Sequence, residues 1–280
     1  MNVLRAWADD LAAWRIPESI LLAVDESPWV LPDEVFARRA ERYIAHPEGA
    51  SHRLAVQALG DGGTVLDIGA GAGAASLPLA RLLTGLTAVD SHRPLLDDLR
   101  KRAAPLGVQA RLVCGRWPDV AGEVEPADVV LCHHVLYNVA ELEPFVAALT
   151  SHARRVVIAE ITVRHPLAEL NRYWKEFHGI IRPEGPTAED AIAALRALGL
   201  DVESERWTRT PMAEYASFET LVDVTRRRLC LPPHRAGDVA AALRRDAISE
   251  HTPPDLGSSG RELVTLWWQG TAQPRTSDGR

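Results

Sequence analysis

The apolar positions of the first sixty residues recur at helical spacing. Leu4, Trp7, Leu11 and Trp14 fall three and four apart, one stripe along an amphipathic helix. Pro17 and the segment ESPWVLPDE interrupt that period, and the pattern predicts a second helix from about Asp33 and a third over SHRLAVQAL from Ser51. Trp7, Trp14 and Trp29 are expected to pack this helical layer onto the rest of the chain, the commonest use of a large aromatic. A place in the wall of a substrate pocket is the alternative.

From Thr64 the period changes. Short runs rich in β-branched residues predict strands at TVLDIG, GLTAVD, ARLVCG, ADVVLCHH, RRVVIAEIT, LDVESERW and LVTLWWQG. Helical patterns such as RPLLDDLRKRA and LEPFVAALTSHA separate the first five. Strands alternating with helices imply βαβ units, hence an α/β fold with a seven-stranded, mostly parallel sheet and helices on both faces. Thr187 with Asp190 three residues later reads as a capping box and Gly199 as a stop, so 187–198 is a helix. The expected organisation is an N-terminal helical cap (1–60), an α/β core (61–210), a helical insertion able to act as a lid (211–260), the last strand (261–271) and a disordered tail (272–280).

Composition narrows the class. The chain has 280 residues, 46% hydrophobic and 25% charged, with a formal net charge of −7, ordinary for a globular protein. The acidic balance argues against a broad nucleic-acid or membrane-surface footprint. Cys114, Cys132 and Cys230 form no C-x-x-C pair and signal neither a disulfide framework nor a zinc module. The N-terminus has no signal-peptide pattern and no apolar run approaches a membrane span, so a cytoplasmic location is expected. A homodimer is compatible with all of this.

The chemistry concentrates where the first strand ends. Gly69, Gly71 and Gly73 spell G-x-G-x-G, while Gly69, Gly71 and Ala74 also satisfy the dinucleotide pattern, so the glycines alone do not choose a cofactor. Asp67 discriminates. A carboxylate two residues before the first glycine repels a pyrophosphate and suits a cofactor carrying an ammonium and a sulfonium. Asp90, closing the second strand, can accept both hydroxyls of a ribose in either cofactor.

At these residues the chain resembles the class I S-adenosylmethionine-dependent methyltransferases. VLDIGAGAG matches that family's first motif, AVD its second, and the likeness continues through CGRWPDV and ADVVLCHHVLYNVAELEPFV over roughly 60–270. The resemblance implies a Rossmann-like sheet and S-adenosylmethionine as cofactor. Asp67, Gly69, Ala70, Gly71 and Gly73 would surround its methionine part, Asp90 and Ser91 its ribose, and Gly115, Arg116 and Trp117 its adenine. His133 would lie near the methionine end. The family often places an acid where Arg116 stands, so a backbone group or stacking on Trp117 would have to replace that adenine contact. No N-P-P-Y-type sequence, which would suggest a base or glutamine amine as acceptor, follows the fourth strand; the place reads HHVLYN.

Methyl transfer from a sulfonium mainly needs alignment, plus a base where the acceptor must lose a proton. Candidates for that base are His134 after the fourth strand, and His165 and His178 in EITVRHPLAELNRYWKEFHGIIRP after the fifth. There Leu167, Leu170, Trp174 and Phe177 form a stripe expected to wall the acceptor site. No metal is expected: His133 and His134, adjacent on a strand, should face opposite ways, and Cys230 and His234 are isolated. Between 205 and 250 eight arginines stand against seven acids, so VTRRRLCLPPHR reads as a solvated helix face rather than an RNA site. The expected activity is methyl transfer to a small-molecule acceptor. The competing readings are an RNA or protein methyltransferase, a non-catalytic cofactor-binding protein, and, disfavoured by Asp67, an NAD oxidoreductase.

Overall fold

The computed structural model describes residues 2–29, 31–211, 214–248, 255–256 and 260–273. Seven strands form one sheet: β1 (Gly63–Ile68), β2 (Leu83–Asp90), β3 (Ala110–Cys114), β4 (Ala127–His133), β5 (Ala153–Thr162), β6 (Glu203–Thr208) and β7 (Glu262–Gln269). Their order is β3-β2-β1-β4-β5-β7-β6. The first five run parallel, and β7 is antiparallel to β5 and β6 on either side of it. The order reverses between β1 and β4, which puts a crevice at the carboxyl ends of those two strands.

Side chains alternate across the sheet into two cores. Leu66, Ile68, Val130, Cys132, Val157 and Ala159 face one side, covered by α1 (Val3–Ala12), α6 (Leu142–His152) and α8 (Ala188–Ala197). Val65, Leu86, Ala88, Val129, Leu131 and Ile158 face the other, covered by α4 (Gly49–Leu59) and α5 (Arg93–Ala103). The α8 boundaries follow the sequence signals: Thr187 and Asp190 form the capping box, and Gly199 has a φ of +83°. The short α2 (Glu18–Leu21) and the 13-residue α3 (Asp33–Ala45) complete the N-terminal layer.

A third apolar cluster lies apart from the sheet. It packs α7 (Asn171–His178) against the insertion helices α9 (Phe218–Arg228) and α10 (Ala236–Arg245), with Ile16 from the N-terminal layer. This corrects two expectations. The stripe after β5 does not present its whole length to the sheet edge, because Trp174 and Phe177 bury against the insertion. The arginine run of α9 is no solvated face: Arg226 is buried, its Nη1 donating to Leu231 O and both its amino groups pairing with Glu26 and Asp223. Of the tryptophans, Trp7 and Trp14 are buried as expected, whereas Trp29 is 50% exposed and borders a cavity. Of the expected tail, 274–280 lies outside the described residues. Among the described residues no helix is long and apolar enough to cross a membrane.

The glycine loop departs from the alternation of strands and helices. No α-helix follows β1; the chain runs through turns into a 3-10 segment, Leu77–Leu82.

Candidate functional site

A cavity of about 1240 Å³ opens at the carboxyl ends of β1, β2 and β4. The loop after β1 folds back on β2: the amides of Gly69 and Ala70 both donate to Val89 O, at 2.8 and 3.1 Å. Gly73 N donates to Ala70 O at 2.9 Å, and Gly71 N to Asp90 Oδ2 at 2.8 Å. These four amides are therefore engaged within the protein. A pyrophosphate needs such donors free at a helix N-terminus; these four are not free, and the loop leads into a 3-10 segment rather than an α-helix. Gly71 faces the cavity with a φ of +51°, and a Cβ there would meet only Phe36, at 3.8 Å. Gly73 has another task, since a Cβ would strike Leu77 at 2.6 Å; it lets the loop pack rather than lining the cavity.

Asp90 borders the cavity with both oxygens anchored, Oδ2 on Gly71 N and Oδ1 on His92 N, each at 2.8 Å. Each carboxylate oxygen retains a lone pair for a further donor. Ser91, Gly115, Arg116 and Trp117 lie along the same rim. Trp117 is also tied into the core, its Nε1 donating to Phe145 O at 3.3 Å. Arg116 supplies no acid, but Asp119, three residues on, borders the cavity too.

Asp67 sits beneath the loop rather than in the cavity wall. It is 1% exposed and its Oδ2 has no hydrogen-bond partner. Burial pushes its carboxyl up to about 7, against the pull of the adjacent Ser76. A buried carboxyl in that state favours a cation brought over the loop. S-adenosylmethionine matches this set: a cationic amino-acid end for the Asp67 field, a cradle at Gly71 that a side chain would fill, and two anchored oxygens for a ribose diol.

His133 and His134 do not face opposite ways. His133 ends β4, and His134 turns out of the strand with a φ of +60°, so both border the cavity. His133 Nε2 has no partner. His134 Nε2 stands 3.1 Å from Glu160 Oε1 and 2.9 Å from Arg209 Nη2. One ring nitrogen cannot serve donor and acceptor together, so the tautomer decides which of the two it bonds. Burial lowers the His134 pKa to about 4, with Arg209 and Arg39 adding to that effect and Glu160 opposing it. Glu160 is held well below the usual carboxylate range, its burial outweighed by the two histidines and Arg209, and Ser51 Oγ donates to its other oxygen.

A second cavity of about 690 Å³ adjoins the first. Phe36, Arg39, His134 and Asn138 border both. Aromatic rings continue from this junction along the second cavity. Tyr137 lies 6.4 Å from His134 and 5.8 Å from His165, and His165 stacks on Trp14 at 3.9 Å. Burial lowers the His165 pKa to about 3, helped by Arg182, Arg228 and Arg261, and its Nδ1 accepts from Leu167 N. His178 borders neither cavity. It lies against Trp174, its Nε2 2.6 Å from Leu229 O, which assigns it to the third core.

Several residues at these cavities carry no sequence signal. Arg39 and Tyr43 of α3 face the first cavity only because that helix lies across it. Arg209, Glu214, Arg228 and Arg261 meet around the second from three separate segments. Arg39 donates to Glu214, and Arg209 Nη1 stands 3.8 Å from the same carboxylate. Among the described residues no cluster of metal-ligating side chains occurs.

Residues 65–157 match a family model described as a methyltransferase domain. The chain is 34% identical over 173 residues to the cypemycin N-terminal methyltransferase of a Streptomyces species, across 59% of this chain and 69% of that one. Its fold resembles that of a cyclopropane-fatty-acyl-phospholipid synthase-like protein from Lactobacillus casei (TM-score 0.55, 14% identity, 90% of this chain and 98% of that one). It also resembles the YcgJ protein from Bacillus subtilis (TM-score 0.51, 15% identity, 80% and 99%).

Proposed function

This chain belongs to the class I S-adenosylmethionine-dependent methyltransferases, and we propose that it methylates a small molecule held in the second cavity. The observation that carries this reading is the shared border. Phe36, Arg39, His134 and Asn138 belong to both cavities, so an acceptor in one can reach a cofactor in the other. The cofactor supplies a methyl group on a positively charged sulfur, already activated for in-line displacement.

The protein's part is to bind, orient and keep water out. Asp90, with Ser91 beside it, takes the ribose. Gly69, Ala70 and Gly71 take the amino-acid end, with the Asp67 charge beneath them, and His133 completes that side. Gly115, Arg116 and Trp117 flank the adenine, with Asp119 offering its amino group the acid that Arg116 does not. The N-terminal helices and α9 of the insertion close the second cavity. His134, at the junction, is the group we assign to receive a proton from the acceptor. With Nε2–H turned to Glu160, Nδ1 is left as an acceptor nitrogen. His165, held by Trp14 and Leu167 N, positions the acceptor. The free thiols of Cys114, Cys132 and Cys230 suit a reducing cytoplasm.

The Streptomyces relative is named an N-terminal methyltransferase of cypemycin. A peptide ammonium is disfavoured here, because five arginines against two carboxylates border the second cavity. The test uses methyl-tritiated S-adenosylmethionine and a cell extract split into small-molecule and macromolecular fractions. Label should enter the small-molecule fraction; label confined to protein or RNA would overturn the reading.

A further inference from the structure

The charges around the second cavity do not balance. Its carboxylates are Glu169 and Glu214. Glu169 lies 3.6 Å from Arg164, outside the cavity, and Glu214 is shared by Arg39 and Arg209. Arg209 is 3% exposed, and its Nε has no partner. Arg228, from the last turn of α9, also borders the cavity. Among the described residues it makes no ion pair or hydrogen bond. Burial pulls the Arg228 pKa down despite the fields of Tyr215 and Glu214.

Taking a guanidinium out of water without a matching anion is costly. Excess positive charge in a half-closed cavity is stable when the counter-ion arrives with the ligand. The rest of the wall is apolar and aromatic, including Trp14, Phe36, Tyr137, Leu221 and Val224. The volume, about 690 Å³, lies within the roughly 300–1,000 Å³ typical of small-molecule sites.

We propose that the acceptor is an amphipathic carboxylic acid, its carboxylate on Arg209 and Arg228 and its ring or chain against the aromatic wall. This extends the methyltransferase reading and rests on it. A guanidinium fork matches the two oxygens of a carboxylate, and Arg39 already holds one, that of Glu214, at the edge of this cavity. Arg209 Nη2 stands 2.9 Å from His134 Nε2, so an acid anchored there lies beside the His134–Asn138 junction, where the methyl group is delivered.

The test keeps cofactor and acceptor binding apart. Protein saturated with S-adenosylhomocysteine is titrated calorimetrically with benzoate, indole-3-acetate and octanoate, and with the neutral amide of each. At least one acid should bind about tenfold or more tightly than its amide. Arg228→Gln should weaken that acid about tenfold and leave its amide and S-adenosylhomocysteine unchanged, while Arg228→Lys should recover part of the loss. The proposal is overturned if no acid binds, if acids and amides bind alike, if Arg228→Gln has no effect, or if inorganic phosphate competes as well as the best acid. In each of those cases bound S-adenosylhomocysteine still supports the methyltransferase reading. Failure to bind S-adenosylhomocysteine at all would count against that reading instead.

Discussion

Replacing Asp90 tests how the cofactor pocket is built. Its two oxygens accept from Gly71 N and His92 N at 2.8 Å each, which fixes the carboxylate before any ligand arrives. A ribose diol would add two charge-assisted hydrogen bonds to an acceptor that needs no reorganisation. Removing them with Asp90→Ala should cost about 2–4 kcal/mol, roughly a 30- to 900-fold rise in Kd for S-adenosylhomocysteine. The same substitution also orphans the Gly71 amide and loosens the loop, so weaker binding alone would not locate the loss. A double cycle with the 2′-deoxy analogue does. If Asp90 holds the diol, the wild type should bind the analogue less well, and the substitution should cost the analogue less than the parent, by about 1–2 kcal/mol of coupling. Calorimetry gives all four affinities, and circular dichroism checks folding. An unchanged affinity in a folded variant would refute the assignment. Equal losses for both ligands would show that Asp90 acts only by holding the loop.

Three further outcomes follow from the same geometry. Gly71→Ala, at a φ of +51° beside open space, should strain the loop by about 1 kcal/mol and fill the cradle. S-adenosylhomocysteine affinity should then fall much further than thermal stability; an equal fall in both would deny the cradle its role. Asp67 has a folded pKa raised to about 7 from 3.8, so the cofactor-free native state keeps a proton that the unfolded chain gives up. Its contribution is present below about pH 4 and is lost as pH rises through 7, at up to about 1.4 kcal/mol per unit. Denaturant titrations of wild type and Asp67→Asn should diverge in that direction, and parallel curves from pH 5 to 8 would contradict it. His134→Gln should leave S-adenosylhomocysteine affinity within about twofold while turnover of an identified acceptor falls about 10²–10⁴-fold; full turnover would place the proton acceptor elsewhere.

The sheet was legible because its strands are short β-branched runs separated by helical periods, and because Thr187, Asp190 and Gly199 mark their helix chemically. The residues proposed to hold the cofactor were brought together for a related reason. Gly71 lies in the turn after β1 and Asp90 ends β2, and the order of strands brings these ends together. That no α-helix forms after Gly73 was not legible, since the apolar residues 77–82 suit one locally but close as a 3-10 segment. The second cavity was the least readable. His165 and His178 belong to one segment and look alike in sequence, yet one stacks on Trp14 at the cavity and the other lies under the insertion. Arg228 shares a charge run with Arg226, but successive positions on a helix face different ways, so one is buried in ion pairs and the other borders the cavity. The contact of Arg39 with Glu214 joins residues 175 apart in sequence, and no local pattern announces it.

The most direct test of the account is a structure of this protein crystallised with S-adenosylhomocysteine. The account predicts the ribose diol on Asp90, the homocysteine end over Gly69–Gly71, and the sulfur turned toward the opening between His134 and Asn138. A nucleoside lodged among Arg209, Arg228 and Arg261, or a sulfur facing away from that opening, would contradict it.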